Sequence, residues 1–439
     1  MNSEKNRGII FKIFVILFFV LTLTISLYAS GYKLNLDNNG KISSFLQKTG
    51  DLVIDSNPSG ALITLESKQG KVIKTDKKKT PNKIQRLLPG EYLIKLELDN
   101  YWSFEKKITI YPKQTTYLKD IMLFKQTLPL RISDASIETP VISPNEKYAV
   151  LKTDNILVNL KTEEKTSLPK INIQEISWNN NSRYLLTDKY IFDIENKDRV
   201  IYLTDLIGDN ISKVKYGNDE NQIYYVYNNQ LNYFNLSSKI NKNIVSENNI
   251  LDYILDSNYL YLVSQEKKTL LKIYSLKNNK LETSIELPKA TEYKLTKEKN
   301  GDINVYDSEH QNIYIIDELD IKTEIEGITQ YIRINDNELL YTSNFEIYIL
   351  DEKENKSRLI TRISEPMNSI HLNTKNNYLI YSTDYDINII EIDEDDNTKT
   401  TKLTELSKIT ETYFSEKNDT IYFIAKIGQQ KGLYKLFIQ

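Results

Sequence analysis

The sequence predicts an all-β protein: a small β-sandwich and a C-terminal eight-bladed β-propeller, preceded by one N-terminal transmembrane helix. Three observations support this fold class. Residues 13–29 form an uncharged apolar stretch, residues 50–124 contain short runs of alternating apolar residues, and residues 127–439 repeat with a period of about 39 residues. The expected order is therefore anchor, sandwich and propeller.

The apolar stretch at residues 13–29 predicts a membrane-spanning helix, a signal anchor. Seventeen helical residues would span roughly 26 Å, which is close to the shortest length that crosses a bilayer. Lys5, Arg7 and Lys12 precede the stretch, which favours a cytoplasmic tail over residues 1–12 and an extracytoplasmic location for the bulk of the chain. No second stretch of this kind follows, so we expect a single-pass protein of the cell membrane.

A cleaved signal peptide is the alternative to an uncleaved anchor. Leu27 and Tyr28 are large and fit poorly at a cleavage site of the small-x-small type. The apolar stretch is also longer than a typical signal core. The polar residues 30–49 that follow contain a turn signal at 37–40 and are expected to form a tether.

Residues 50–124 predict a small antiparallel β-sandwich. Apolar and polar residues alternate there in short runs, which is typical of strands with one buried face. The runs cover residues 52–54, 62–65, 92–96 and 108–110, and turn sequences at 57–60 and 88–91 divide them.

The same residues contain five motifs of a known family. In chain order they are Gly50-Asp51-Leu52-Val53-Ile54, Asn57-Pro58-Ser59-Gly60-Ala61, Thr80-Pro81, Leu87-Leu88-Pro89-Gly90-Glu91-Tyr92 and Asn100-Tyr101. In order and spacing they resemble the PEGA domain. Ser59 replaces the Glu of the name-giving motif, and Asn100 replaces the usual Gly, which Asn can do because it tolerates positive φ. The resemblance implies a β-sandwich outside microbial cells that serves binding or scaffolding, and it implies no catalytic residues.

From residue 127 onward, apolar strands recur after polar turns. A second strand follows each of them, and several strands in each of eight units of about 40 residues are typical of a β-propeller. A stack of β-sandwich domains would repeat at about 100 residues instead. The recurring strands begin at Ala149, Leu185, Ile223, Leu260, Ile303, Leu339, Leu379 and Ile421.

The two ends of the array predict how the propeller closes. Residues 433–438 are interpreted as the second strand of the last unit, and residues 128–132 form a strand that belongs to no unit. We expect this N-terminal strand to complete the last blade and remove an exposed edge. Seven blades are the alternative if the unit around 290–320 is irregular. The turn Ser143-Pro144-Asn145-Glu146 resembles that of TolB-like or WD-like propellers, which implies the fold and no function.

The composition excludes several classes of protein. The chain has 439 residues with 57 Lys+Arg, 60 Asp+Glu and a formal net charge of −3, so we expect no nucleic-acid partner. It has no Cys, which excludes disulfides, thiolate metal ligands and cysteine nucleophiles. It has no phosphate-binding loop, dinucleotide fingerprint, nucleophile elbow or His-Glu-x-x-His motif. We therefore expect no catalytic residues, no cofactor and no metal site.

Five local features are candidates for chemistry, and each has a plainer interpretation. His310 and His371 are expected at the surface, because a shared zinc site would lack ligands. The acidic runs 384–386 and 393–397 lack EF-hand spacing and are interpreted as hairpin tips rather than calcium sites. The basic run 77–79 is interpreted as a solvated loop tip, with contact to an anionic wall polymer as the alternative.

Tyrosine is the strongest compositional bias, with 31 residues. Aromatic platforms can bind sugars, but most tyrosines lie within strand runs, where they suit a half-buried pleated surface. We therefore expect a structural use, and the sequence identifies no ligand-binding residue.

Together these features predict a membrane-anchored, extracytoplasmic, non-catalytic protein of the cell envelope that binds or scaffolds. The expected partners are the membrane and an envelope protein or a cell-surface glycan, contacted through the propeller and the PEGA-like domain. The alternative is a glycan-acting propeller enzyme with a pair of carboxylates in the central funnel. A sensor would need a membrane partner, because the expected tail is only about 12 residues long.

Overall fold

The fold consists of two compact units, residues Met1–Thr127 with Ile438–Gln439 and residues Leu128–Phe437. It is seen in a computed structural model of the chain. The residues described are 2–36, 42–68, 72–73, 77–136, 139–170, 175–217, 219–298, 300–317, 319–392 and 400–439.

The first unit begins with helix α1, Asn2–Ala29. Residues Gly8–Ala29 are long and apolar enough to cross a membrane, a property that a signal sequence near the N-terminus shares. The helix includes residues before the apolar stretch at 13–29, and these polar residues include good helix formers such as Glu4 and Lys5.

Within the segment that was expected to be a tether, the described residues include two paired strands. Strand β1, Tyr32–Leu36, pairs antiparallel with β2, Ile42–Lys48, with Tyr32 opposite Lys48. The short alternation of apolar and polar residues in β1 suits a strand, although the overall polarity of 30–49 concealed it.

The sandwich consists of two sheets. One has the strand order β6-β3-β9, and the other has the order β5-β4-β7-β8. Their bounds are β3 Gly50–Asn57, β4 Leu62–Ser67, β5 Val72–Ile73, β6 Asn82–Leu87, β7 Gly90–Glu97, β8 Phe104–Ile110 and β9 Thr115–Met122.

The sequence predicted a purely antiparallel sandwich, and the structure shows that this is wrong. Strand β3 pairs antiparallel with β6 but parallel with β9. The chain reaches β9 from β8, which lies in the opposite sheet, so β9 can run in the same direction as β3. Alternate residues of the two sheets meet in the core, including the fully buried side chains of Leu52, Ile54, Ile63 and Ile94.

The described residues of the second unit form eight four-stranded antiparallel sheets, which we number as blades 1 to 8 in chain order. The number of sheets equals the number of repeats found in the sequence. Strand bounds for blades 1 to 4 are β11 Val141–Ile142, β12 Tyr148–Leu151, β13 Ile156–Asn159 and β14 Lys165–Ser167; β15 Ile176–Trp178, β16 Tyr184–Thr187, β17 Tyr190–Asp193 and β18 Val200–Tyr202; β19 Ser212–Tyr216, β20 Gln222–Tyr227, β21 Gln230–Asn235 and β22 Asn241–Ser246; and β23 Ile250–Leu255, β24 Tyr259–Gln265, β25 Thr269–Ser275 and β26 Lys280–Leu287.

Blades 5 to 8 follow the same pattern, and a short helix α2, Thr204–Ile207, connects blades 2 and 3. The bounds of these blades are β27 Tyr293–Lys297, β28 Ile303–Asp307, β29 Asn312–Asp317 and β30 Asp320–Ile325; β31 Gln330–Arg333, β32 Glu338–Thr342, β33 Glu346–Asp351 and β34 Lys356–Arg362; β35 Ser369–Asn373, β36 Tyr378–Ser382, β37 Asp386–Glu391 and β38 Thr400–Glu405; and β39 Lys408–Ser415, β40 Thr420–Ile427, β41 Gln430–Phe437 and β10 Leu130–Ser133.

The N-terminal strand completes the last blade, as predicted. Strand β10 pairs with β41, so blade 8 contains strands from both ends of the unit. Apolar side chains of blade 8, including Ile424 and Leu433, pack against Ala149 and Val158 of blade 1. This packing closes the ring without leaving β41 as an open edge.

The register of the repeat differs from the sequence interpretation. The eight apolar strand starts, from Ala149 to Ile421, lie in the second strand of each blade, and residues 433–437 belong to the third strand of blade 8. Second strands have a neighbour on both edges and are buried on both faces, so they have the strongest apolar signal. First strands contact the first strands of neighbouring blades and therefore lie nearest the ring axis, whereas fourth strands are mostly exposed.

Candidate functional site

The first strands of the blades carry polar side chains that bind the backbone of the next blade. Glu175 Oε2 accepts a hydrogen bond from Val214 N–H at 3.0 Å, and Asp252 Oδ2 accepts one from Leu295 N–H at 2.8 Å. Because the chain advances about 40 residues between these partners, each contact joins two adjacent blades. These groups form a polar girdle around the ring axis.

The same arrangement recurs in the second half of the ring. Gln330 Oε1 accepts from Ile370 N–H at 2.9 Å, and Ser369 Oγ accepts from Thr412 N–H at 3.1 Å. Each bond satisfies a backbone donor that would otherwise be buried without a partner. The girdle therefore positions the blades relative to one another.

The girdle is the place where the carboxylate pair of a glycan-acting enzyme was expected. Glu175, directly before β15, and Asp252 in β23 are two carboxylates that contact a neighbouring blade, and Asp252 also binds Lys215 Nζ at 2.6 Å. Both carboxylates are therefore committed to structural contacts. Enzymes that cleave glycosidic bonds need one carboxyl group free to protonate the leaving oxygen.

His371 is half-buried rather than exposed, so its predicted surface position is wrong. It lies in β35, and its Nε2 donates to the carbonyl of Thr412 at 2.7 Å. Burial lowers the pKa of His371 to about 4, so the imidazole is neutral at pH 7. The side chain thus bridges blades 7 and 8 as another member of the girdle.

His310 lies in the hairpin between β28 and β29 of blade 5, and 44% of its side chain is exposed. Its Nδ1 is 2.7 Å from Oδ2 of the buried Asp307, and this carboxylate raises the pKa of His310. The two histidines belong to different blades and have different partners. Among the residues that the structure describes, no group of three or more His, Asp or Glu side chains could hold a metal ion.

The acidic and basic runs have local structural contacts. Asp386 binds Lys402 at 3.2 Å, and Asp384 accepts from the amide of Asn368, so the run 384–386 closes a hairpin of blade 7. The run 393–397 lies outside the described residues. In the basic run 77–79, the carbonyl of Lys78 accepts from Ile63 N–H, which places this backbone beside β4.

The tyrosines are used mainly inside the protein. Five of the largest fully buried side chains are tyrosines of the propeller, and several others pack ring against ring, such as Tyr341 and Tyr348 with centroids 5.2 Å apart. These positions agree with the expected structural use. The five buried tyrosines are Tyr190, Tyr225, Tyr253, Tyr261 and Tyr378.

One polar cavity has features of a ligand site. It has a volume of about 150 Å³ and lies between the first turns of blades 2 and 3. Its lining consists of Asn179, Asn180, Asn181, Tyr216, Gly217 and Glu220.

Contacts within this cavity orient its polar groups. The side-chain amides of Asn179 and Asn181 both donate to Glu220 Oε2, at 3.4 and 3.1 Å. The Tyr216 hydroxyl is buried and has no hydrogen-bond partner among the described residues, and burial raises its pKa. A Cβ at Gly217 would lie within 2.9 Å of Gln222, so the glycine permits this close packing. The cavity thus offers a carboxylate, amides and a hydroxyl to a small polar group.

Sequence reasoning missed this cavity. The run of asparagines at 179–181 belongs to one of the polar turns that precede the apolar strands, and a turn alone indicates no cavity. Its partner Glu220 lies about 40 residues away, one repeat further along the chain, and only the ring brings the two turns together. An unusual concentration of amides in one turn was the available signal.

Comparison with known proteins matches the sandwich of the first unit to a family. Residues 49–123 match the PEGA domain family. This segment is a PEGA domain. No curated protein matches the chain.

Two solved structures are similar to the chain. The C-terminal WD40 domain of Sif2 has a TM-score of 0.49 and 11% identity, covering 71% of this chain and 99% of that one. A structure described as the eukaryotic initiation factor has a TM-score of 0.49 and 14% identity, covering 87% and 96%.

Proposed function

We propose that this chain is a single-pass, membrane-anchored protein of the cell envelope whose PEGA domain and propeller bind partners without catalysis. The N-terminus is cytoplasmic and the bulk of the chain is extracytoplasmic. The partners are an envelope protein or a cell-surface glycan. Lys5, Arg7 and Lys12 before the apolar stretch at 13–29 support this orientation, because long following domains contribute little to the charge rule.

The polar girdle is the observation that carries the non-catalytic part of the proposal. Its carboxylates, Glu175 and Asp252, bind backbone donors of neighbouring blades and so serve assembly of the ring. The cavity at Tyr216 and Glu220 is instead exposed at one face of the ring and has donors and acceptors available. We propose that this cavity is part of the contact surface.

The size and chemistry of the cavity limit what it can hold. Its volume of about 150 Å³ is below the roughly 300–1,000 Å³ that is typical of small-molecule pockets. It therefore suits one sugar ring or one polar side chain of a larger partner. Removing the Tyr216 hydroxyl or the Glu220 charge should weaken such a contact, because the partner would lose a buried hydrogen bond.

The test uses the full chain in detergent and its capture of envelope glycans and proteins from the producing cell. Tyr216→Phe and Glu220→Gln should each lower capture of the same component. Glu338→Gln is a matched control, because Glu338 holds Asn335 in the first turn of blade 6 as Glu220 holds Asn181. If all three variants capture as much as the wild-type chain, the cavity is not part of the contact surface. Release of cleaved glycan by the wild-type chain would reject the non-catalytic function.

A further inference from the structure

The end of the PEGA domain from which helix α1 emerges can be identified from strand directions. Strands β3 and β9 begin at this end, at Gly50 and Thr115, and β8 finishes there at Ile110. The helix is held to it through Gly31, whose carbonyl accepts from Thr49 N–H at 2.9 Å and from the Thr49 hydroxyl at 2.8 Å. We call this the proximal end.

Tyrosines surround the proximal end. Tyr28 in the last turn of the helix is 60% exposed, and Tyr111 after β8 is 54% exposed. Tyr32 begins β1, directly after the helix. Tyr side chains are enriched where proteins cross the membrane–water interface, because their rings are apolar and their hydroxyls are polar.

Basic side chains lie among these rings. The Arg86 guanidinium is 3.7 Å from the ring centre of Tyr28, and the Lys48 ammonium is 5.1 Å from that of Tyr32. Lys113 follows Tyr111 in the turn between β8 and β9, and its N–H donates to Thr49 O at 2.9 Å. The bases therefore share one end of the domain with the end of the apolar helix.

Two of these bases lie side by side without a carboxylate partner in the described part of the chain. Lys113 N–H donates to the carbonyl of Thr49, the residue after Lys48, and the neighbouring Lys48 lowers the pKa of Lys113. Nearby, Asp51 is already engaged with Lys83 at 2.9 Å and with the backbone of Arg86. An anion placed between Lys48 and Lys113 would relieve their mutual repulsion.

Basic residues are concentrated in the part of the chain that follows the helix, and acidic residues in the propeller. Residues 31–127 contain 17 Lys+Arg and 10 Asp+Glu, a net charge of +7, whereas residues 128–439 contain 37 and 49, a net charge of −12. The near-neutral total therefore conceals a basic segment next to the apolar helix. An anionic membrane surface attracts such a segment and repels the acidic one.

We propose that the proximal end of the PEGA domain binds anionic phospholipid headgroups beside its own membrane helix. Tyr28, Tyr32 and Tyr111 lie at the headgroup level, and Lys48 and Lys113 bind a lipid phosphate. The inference rests on the proposed membrane anchor. The proximal end is continuous with the helix, which favours lipid over a polymer elsewhere in the envelope. The basic run 77–79 does not take part, because the adjacent Thr80 contacts Gly60 at the opposite end of the domain.

The experiment uses the full chain in vesicles and exploits its lack of cysteine, which makes a single introduced Cys the only labelling site. A fluorescent label is attached at Gln114→Cys, at the proximal end, or at Ser59→Cys, at the opposite end. Both residues are exposed. Quenching by a nitroxide on the lipid headgroup is measured in phosphatidylcholine alone and in its mixture with phosphatidylglycerol.

We expect the label at 114 to be quenched more than the label at 59, and more strongly in the anionic mixture. Two lysines near an anionic surface contribute about 2 kcal/mol, so Lys48→Gln with Lys113→Gln should lower the ratio of docked to undocked chains roughly 30-fold. Lys78→Gln with Lys79→Gln removes the same charge from the opposite end and should leave quenching unchanged.

Other outcomes would overturn the inference. A chain that resists carbonate extraction but shows equal quenching at 59 and 114 is anchored without docking, which leaves the proposed binding function intact. If the Lys48 and Lys113 variants lose binding to soluble glycerol-phosphate polymer while headgroup quenching is unchanged, the patch serves a polymer. If carbonate extracts the chain from the vesicles, the chain has no membrane anchor. The proposed anchoring and the proposed lipid binding are then both wrong.

Discussion

Ring closure can be tested at one glycine. Gly432 lies in β41, opposite the N-terminal strand β10, and its φ is not in the left-handed region, so Ala could adopt its backbone conformation. A Cβ at this position would lie far inside van der Waals contact with the carbonyl oxygen of Ser133 and 2.8 Å from Arg131 Nε. Gly432→Ala should therefore push β10 away from blade 8.

The expected cost follows from this displacement. Strand β10 must move by roughly 1 Å to restore an ordinary contact, and a hydrogen bond lengthened by that amount is effectively lost. Losing about two ladder bonds at about 1 kcal/mol each, together with looser packing of the buried Ile132, gives about 2–3 kcal/mol. This value agrees with the usual cost of overpacking.

Hydrogen exchange of the full chain in detergent measures the effect locally. Amides of residues 130–133 should exchange roughly 30-fold to 150-fold faster in Gly432→Ala, since about 1.4 kcal/mol corresponds to tenfold. Gly217→Ala is a comparison at a site far along the chain from β10: its new Cβ meets Gln222 and Tyr224 of blade 3, so exchange of residues 130–133 should stay unchanged. Unchanged exchange of residues 130–133 in Gly432→Ala would refute the argument that this contact controls closure.

Three further predictions concern polar groups of the ring. Asp252→Ala should lower the free energy of unfolding by about 2–4 kcal/mol in a urea titration, because it leaves the Leu295 N–H unpaired and removes the carboxylate from Lys215, which keeps the Tyr253 carbonyl as an acceptor. Asp252→Asn, which keeps an acceptor, should cost less in the same titration. Arg333→Met should lower the free energy of unfolding by about 3–5 kcal/mol, because the buried Glu352 carboxylate loses the Arg333 guanidinium and keeps Lys322. Adding Glu352→Gln should recover part of that loss, and full additivity of the two changes would contradict the pairing. His371 has a folded pKa of about 4, below its ordinary value of 6.5, so its contribution to the free energy of unfolding is present above pH 6.5 and is lost as the pH falls toward 4, by at most about 3 kcal/mol. His371→Asn should flatten this part of the profile of stability against pH, and an unchanged profile would argue against a buried neutral imidazole.

Local sequence patterns were sufficient for the fold class. The alternation in β3, with Leu52 and Ile54 buried, identifies a strand from a few neighbouring residues. The repeat of about 40 residues predicted the propeller for a similar reason, since each blade's second strand is apolar on both faces. Both signals arise from burial, which acts directly on the composition of a strand.

Polar first strands were harder to interpret. Asp252, Gln330 and His371 face the ring axis or the next blade, where hydrogen bonding takes the place of apolar burial. Such residues look like loop residues in a sequence, so the repeat was assigned from the second strand and His371 was assigned to the surface. The parallel pairing of β3 with β9 was missed because strand direction depends on how the chain crosses between sheets.

The sequence alone therefore determined the apolar helix, the PEGA domain, the repeated blades and the closure by an N-terminal strand, because each is written in residues close together or in a fixed period. Only the tertiary structure decided which side chains meet. The contacts between Asn181 and Glu220, between Glu175 and Val214, and between Tyr28 and Arg86 join residues about 40 or more positions apart. A ring or a sandwich creates these contacts through its geometry, and no local pattern in the chain specifies them.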